Sequence, residues 1–372
     1  MLTIETAGTV ERSGTVPVPA DEAHDLVVSV LVRRGADAGS ADRVARHLLT
    51  AERDGHPSHG LMRLLEYAHD IDADDLRPAV LPSVRRTAPG VSVVDGGQGL
   101  GVLALDTVAD ELVRSCAEHP VALVALRGAG HLGSLAPLGR AVAAEGLCCL
   151  GFANYSGGGQ RVAPPGAAEG RLATNPVLAA FPGDGGAPVV VDMTTAASSE
   201  GEIRARLLAG QPVPPGWLHD DRGRPTDRAQ GLYEDPPAAF IPPLGTAGTE
   251  HRGYALAVAV ELLAGAVAGG GVARPGAPST GNSGLFLAFS PEVAGTSRDG
   301  YLSAFRQLEE HLATTRTQPG RPAVRLPGRS AGGAAGADGG PLHVPARLWA
   351  ELCELTDAPG GARAADATEK RK

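Results

Sequence analysis

The six residues Gly128-Ala129-Gly130-His131-Leu132-Gly133, GAGHLG, match the spacing G-x-G-x-x-G. They follow an apolar run, VALVALR from Val121 to Arg127, and precede the helical pattern SLAPLGRAVAAEG. A glycine-rich turn between strand and helix is the signature of a Rossmann dinucleotide-binding unit. That unit also needs an acidic residue about 20 positions further on, at the end of the next strand, to hold a ribose hydroxyl. Here the place is taken by FANYSGG, residues 152–158, with no acid. In a chain with 51 glycines among 372 residues, a lone match has little weight. The stretch therefore predicts a strand-to-helix junction outside the ordinary Rossmann pattern. His131, inside it, sits where functional side chains concentrate.

Outward from this junction, β and α patterns alternate, which argues for an α/β core. LCCLGFAN, PVVVDM and SGLFLAFS are predicted strands, and SSEGEIRARLLAG is a predicted helix. Upstream, VSVVDGGQGLG forms strand and turn, then VLALDTVADELVRSCAEH a helix. The flanks are mostly helical: ADEAHDLVVSVLVRRG and SADRVARHLLTAERDG each end in the glycine expected past a helix C-terminus. Another helix begins at Gly253, and a short one covers PARLWAELCELTD. The expected organisation is a loose arm over 1–18, a helical unit made of 19–95 with 300–357, an α/β unit over 96–299, and a disordered tail over 358–372. PGRSAGGAAGADGGP is expected to be a flexible linker, and there is no internal repeat.

The formal charge of −9 disfavours nucleic acid and anionic membranes as partners. The only lysines are Lys370 and Lys372, so every cation in the body is Arg or His. The four cysteines form no C-x-x-C pair and no metal-ligand cluster, and fit a reducing cytosol. The N-terminus lacks the basic start and apolar run of a signal peptide. Glu261 interrupts the apolar run GYALAVAVELLAGAVAGGGVA, which is expected to be a buried helix rather than a membrane span.

The chemistry-bearing stretch is DGHPSHGLMRLLEY, Asp54 to Tyr67. If Ser58 caps a helix there, His59 lies in its first turn and Arg63 is its i+4 neighbour. An imidazole beside a guanidinium suits a 2-oxo or 2-hydroxy acid, because Arg grips the carboxylate and His exchanges a proton with the adjacent oxygen. The same residues fit a plain capped helix with a solvated Arg, and by themselves they leave both readings open. Asp192 closes an apolar strand and is the best candidate to orient His59. Thr174 and Asn175, in LATNP, offer neutral groups in a turn.

In order along residues 20 to 345, DGHPSHGLMRLLEY, VDGGQGLG, GAGHLGS, RVAPPGAAEGRLATNPVLAAFPG, VVVDMTTAASSEGEI, PVPPGWLHDDRGRPT and HRGYALAVAVELLAG resemble the type 2 malate/L-lactate dehydrogenase family. The resemblance implies an NAD- or NADP-dependent oxidoreductase, usually a cytoplasmic homodimer, with a small carboxylate or imine substrate and no metal. It implies a non-Rossmann NAD(P)-binding sheet domain over 96–299, and a helical domain formed by the N- and C-terminal segments. By resemblance, Ser58, His59 and Asp192 form a relay with His59 as proton donor. His131 joins catalysis, while Arg63 and Thr174 contact substrate. Ser156, Asp192, Met193, Thr194, Arg252, Gly281 and Asn282 contact the cofactor.

Two positions depart from the family pattern. Glu202 stands in place of the usual Lys after the Asp192 strand, and Arg252 with Ala255 replace a Lys and a Gly. Near the imidazole, Glu202 would raise its pKa and repel a second substrate carboxylate. That keeps two other readings alive, a cyclic-imine carboxylate reductase and a family member that binds a metabolite without turnover.

Overall fold

The computed structural model describes residues 14–157, 160–185, 187–276, 281–328 and 340–357. Strand β1 (Thr15–Val18) leads into helices α1 (Ala20–Arg33), α2 (Ala38–Arg53) and α3 (Arg63–Asp72). Then come strands β2 (Ser83–Ala88) and β3 (Val91–Asp95), helix α4 (Gly101–Cys116), strand β4 (Val121–Ala129), helix α5 (Ala136–Ala144) and strand β5 (Cys148–Tyr155). Strands β6 (Val177–Phe181) and β7 (Val189–Met193) precede helix α6 (Glu200–Leu208) and the short strands β8 (His219–Asp220) and β9 (Ala239–Phe240). Helix α7 (Glu250–Val260) continues as a π-helical segment, Glu261–Val267, before strand β10 (Asn282–Phe289), helix α8 (Arg298–Ala313), strand β11 (Leu342–Pro345) and helix α9 (Ala346–Asp357).

Seven strands form one sheet in the order β2-β3-β4-β10-β5-β6-β7. Only β3 and β4 run parallel; the other neighbours are antiparallel. Alternating inward residues of β4 (Ala122, Val124, Leu126) and the apolar faces of α4 and α5 build the sheet core. A second core joins α1, α2 and α3 to the chain's other end. Val27, Leu31, Leu48 and Leu64 pack with Val344, Leu348 and Leu352, and β1 pairs antiparallel with β11.

Three expected boundaries are corrected. Residues 15–18 are not a loose arm, because β1 is held by β11. β2 and β3, counted with the helices, belong to the sheet. α8, also counted with the helices, lies by the sheet: Tyr301 Oη donates to Pro182 O at 2.8 Å, and Arg306 pairs with Asp184 at 3.3 Å. Residues 1–13, 329–339 in the expected linker, and the tail 358–372 lie outside the described residues. Among the described residues no helix is long and apolar enough to cross a membrane. The apolar run from Gly253 is α7 and its π-helical continuation, with Glu261 buried at their junction.

Candidate active site

Strand directions bring most of the candidate residues to one edge of the sheet. β4 ends at Ala129, opposite Asn282 at the start of β10, which also pairs with Tyr155 at the end of β5. β6 starts at Val177, paired with Met193 at the end of β7. His131, Ser156, Thr174, Asp192, Met193, Thr194, Gly281 and Asn282 all follow or precede these strand ends. Thr194 Oγ1 donates to Thr174 O at 2.6 Å, and Asn282 Nδ2 donates to Asn154 O at 3.2 Å. Arg252 is exposed on α7 and Met193 is exposed at the end of β7.

The GAGHLG turn is closed by protein rather than left open for a ligand. Gly130 N donates to Gly99 O at 2.9 Å, and a Cβ on Gly101 would lie 2.4 Å from the carbonyls of Gly130 and His131. These glycines permit close packing of two turns. The start of α5 is occupied as well: Asp192 Oδ2 accepts from Ser134 Oγ (2.7 Å), Leu135 N (2.8 Å) and Ala136 N (2.9 Å). A carboxylate thus takes the free N–H groups that a pyrophosphate would need.

Against this edge stands the Pro57–His59 turn. It is a 3-10 turn, and it ends because Gly60 leaves helical geometry (φ −96°, ψ −145°), so α3 starts at Arg63. Ser58 therefore does not take the helix-capping position considered from the sequence, since Met62 precedes α3; its Oγ lies 3.1 Å from His59 Nδ1. Arg63 Nε donates to Ser58 O at 2.7 Å, which ties the guanidinium under the same turn. The His59 and His131 rings stack with centroids 6.1 Å apart and planes 17° from parallel. Gly133 N donates to His131 Nδ1 at 3.2 Å. A backbone N–H can only donate, so Nδ1 carries the lone pair and neutral His131 holds its proton on Nε2.

The electrostatics of this pocket are set by burial. Arg63 is buried, with Glu66 Oε2 at 2.5 Å and Glu200 Oε2 at 3.7 Å. Burial opposes its charge, but the two acids more than offset that and hold it protonated. Burial raises the Glu66 carboxyl, yet Arg63, helped by His131 and Arg204, brings it down to about 2. Burial lowers the His131 pKa to about 3, with Arg63 adding to the effect. His59 is pushed well below the usual histidine value, by burial first and Arg63 second. The pocket thus holds two neutral imidazoles beside a fixed cation.

A family model described as malate/L-lactate dehydrogenase matches residues 18–353. The chain belongs to the malate/L-lactate dehydrogenase family. It is an oxidoreductase of the dehydrogenase and reductase kind found there. Delta(1)-pyrroline-2-carboxylate reductase 2 of Burkholderia multivorans is 32% identical over 356 residues, covering 93% of this chain and 99% of that protein. L-lactate dehydrogenase of Cupriavidus necator is 30% identical over 339 residues, covering 90% and 96%. The crystal structure of a dehydrogenase from Sinorhizobium meliloti superposes with a TM-score of 0.80 at 29% identity, covering 93% of this chain and 100% of that one.

In this member of the malate/L-lactate dehydrogenase family, two sequence expectations about charge fail. Glu202 does not face the imidazole. It is exposed and closes a capping box: its N–H donates to Ser199 Oγ at 3.1 Å, and its Oε2 accepts from Ser199 N at 3.4 Å. Positions two apart on a helix point to different faces, so Glu202 and Glu200 cannot share a role. Asp192 makes its hydrogen bonds to the α5 start, while His59 Nδ1 has Ser58 Oγ. Sequence reasoning missed Glu66, Glu200, Arg204 and Tyr233. The pattern Ser199-x-x-Glu202 could have flagged the cap, and with it the opposite face of α6 carrying Glu200 and Arg204. Tyr233, 33 residues from Glu200, left no local signal.

Proposed function

We propose that this chain moves a hydride between NAD or NADP and the carbon next to the carboxylate of a small 2-hydroxy or 2-oxo acid. The observation that carries the reading is the neutral His59 imidazole held by Ser58 above a buried, permanently charged Arg63. Arg63 attracts the substrate carboxylate, and His59 exchanges the proton of the neighbouring oxygen. A neutral imidazole is the form needed to accept the proton of a hydroxy acid. In the reverse direction it must first be charged, which a bound carboxylate favours. Ser58 Oγ both donates and accepts, so it supports either state of His59 Nδ1. His131, with Nε2–H available, serves as a neutral hydrogen-bond donor rather than a proton shuttle. Asp192 holds the start of α5 and the turn bearing His131, which makes it a positioning residue.

The sheet edge suits a nicotinamide dinucleotide bound without a Rossmann turn. It gathers hydroxyls and amides from Ser156, Thr194 and Asn282, and the buried Asn175 Oδ1 has no hydrogen-bond partner among the described residues. When bound, the cofactor supplies or accepts the hydride. Arg252 offers a surface cation for a phosphate. Thr174 contributes its backbone to this edge, its carbonyl being taken by Thr194 and Thr195. A second reading, reduction of a cyclic imine bearing a carboxylate, is favoured by the acids packed around Arg63. We also propose a cytoplasmic homodimer, supported by the exposed apolar positions Leu256, Leu262 (55% exposed) and Val267 (66%) along α7 and its continuation. Sedimentation equilibrium tests the dimer. The activity is tested by incubating the protein with NADH or NADPH and a panel of 2-oxo acids and cyclic imine carboxylates. Absorbance loss with at least one of them is expected, and none with any would sink the reading.

A further inference from the structure

We infer that Glu200 limits the net charge of the substrate this pocket accepts. The inference rests on the reading above, in which Arg63 faces the substrate carboxylate. The Arg63 guanidinium has one nitrogen on Ser58 O (2.7 Å) and one on Glu66 (2.5 Å), and its third lies 3.7 Å from Glu200. That third nitrogen is the one whose acidic neighbour stands beyond hydrogen-bond distance, so it is the one a substrate carboxylate can engage. Glu66 is matched by two cations, since Arg204 Nη1 also lies 3.6 Å from it. Glu200 has only its share of Arg63.

Its place is fixed. Tyr233 Oη donates to Glu200 Oε1 at 2.8 Å. The start of α6 packs closely against Arg63, which glycine at 201 permits: a Cβ there would sit 2.4 Å from Arg63 Nη2 and 2.9 Å from Ser58 O. The start of a helix further favours a negative side chain there. Two arginines and two glutamates sum to zero, and both histidines are neutral, so this cluster has no spare positive charge. A substrate with one carboxylate, or a zwitterion with a carboxylate and a protonated ring nitrogen, fits such a pocket. A dianion brings its second charge into the field of Glu200.

The test uses two nearly isosteric probes, the dianion oxalate and the monoanion oxamate, titrated calorimetrically into the full-length protein with NADH or NADPH present. Wild type is expected to bind oxamate more tightly. Glu200→Gln keeps the size and the hydrogen bond to Tyr233, and should shift the oxalate-to-oxamate affinity ratio by about tenfold towards oxalate. Glu200→Asp keeps the charge and should retain the wild-type ratio. An unchanged ratio in Glu200→Gln overturns the inference, and so does wild type that binds neither probe. Probe binding with the expected ratio shift, but no turnover on any 2-oxo acid or cyclic imine, would instead refute the proposed substrates and leave Glu200's role standing.

Discussion

Two buried acid clusters in this molecule are built on opposite terms. At the end of β5, Glu261 meets only neutral donors: Asn154 Nδ2 (3.2 Å), Asn175 Nδ2 (2.7 Å) and Ala273 N (2.5 Å). Beside α3, Glu66 and Glu200 meet arginines, with two uncharged imidazoles above them. The first cluster joins α7 to the strands through hydrogen bonds from uncharged donors. The second balances mobile protons against fixed ions, so a ligand's charge can alter its state. Structural burial and catalytic burial thus differ less in depth than in whether the partners are neutral.

The contrast is broken most sharply at His59. His59→Ala should leave the fold intact and cut turnover by about 100-fold or more, measured as kcat alongside circular dichroism. Unchanged kcat would remove His59 from the chemistry. Glu261→Ala should do the opposite, with its largest effect on stability. Three donors lose their acceptor, so a loss of about 3 kcal/mol or more is expected in denaturant unfolding. A midpoint equal to wild type would mean that water replaces the carboxylate at no cost.

Acid should expose the second cluster. His131 and His47 have folded pKa values of about 3 and about 4, and His59 is lowered as well, all chiefly by burial. Above the ordinary histidine value near 6.5, they are neutral folded or unfolded and contribute no slope. Below it, the unfolded chain binds protons that the folded chain refuses, so stability falls with pH by up to about 1.4 kcal/mol per unit for each histidine. Asp70, raised to about 6 by burial, works the other way, and so do Glu52, Asp106 and Asp192, whose carboxyls burial also raises; below about pH 6 they offset part of the histidine slope. The melting temperature should therefore drop as pH falls from about 6.5 towards 5. A flat profile would show that these histidines take protons in the folded state. The smallest expected effect is at Glu202. Glu202→Lys should lose about 1 kcal/mol of capping and leave substrate preference unaltered.

What could be read from the sequence followed from pattern strength. β4, β5, β7 and β10 are apolar runs bounded by turns, and α1, α2 and α4 carry clear apolar faces. β2, SVRRTA, was not legible because it is an exposed edge strand with no buried side to impose alternation. Ser58, His59 and Arg63 were legible together from their spacing and His131 separately from its turn, and the structure brings the four together. The partners that set their charges were not. Glu200 reaches Arg63 across two separate segments, and Glu202 drew notice because a charge reversal is visible in a string of letters while helix phase is not.

The pairing of β1 with β11 joins residues more than three hundred positions apart. During synthesis the turn and helix that bear His59 and Arg63 leave the ribosome well before the strand β11 and helix α9 that complete their core. The nascent chain must therefore carry a half-covered apolar surface, including Val27, Leu31 and Leu64, until β11 and α9 have emerged. The wall of the candidate site that is made before the sheet is the one completed after it.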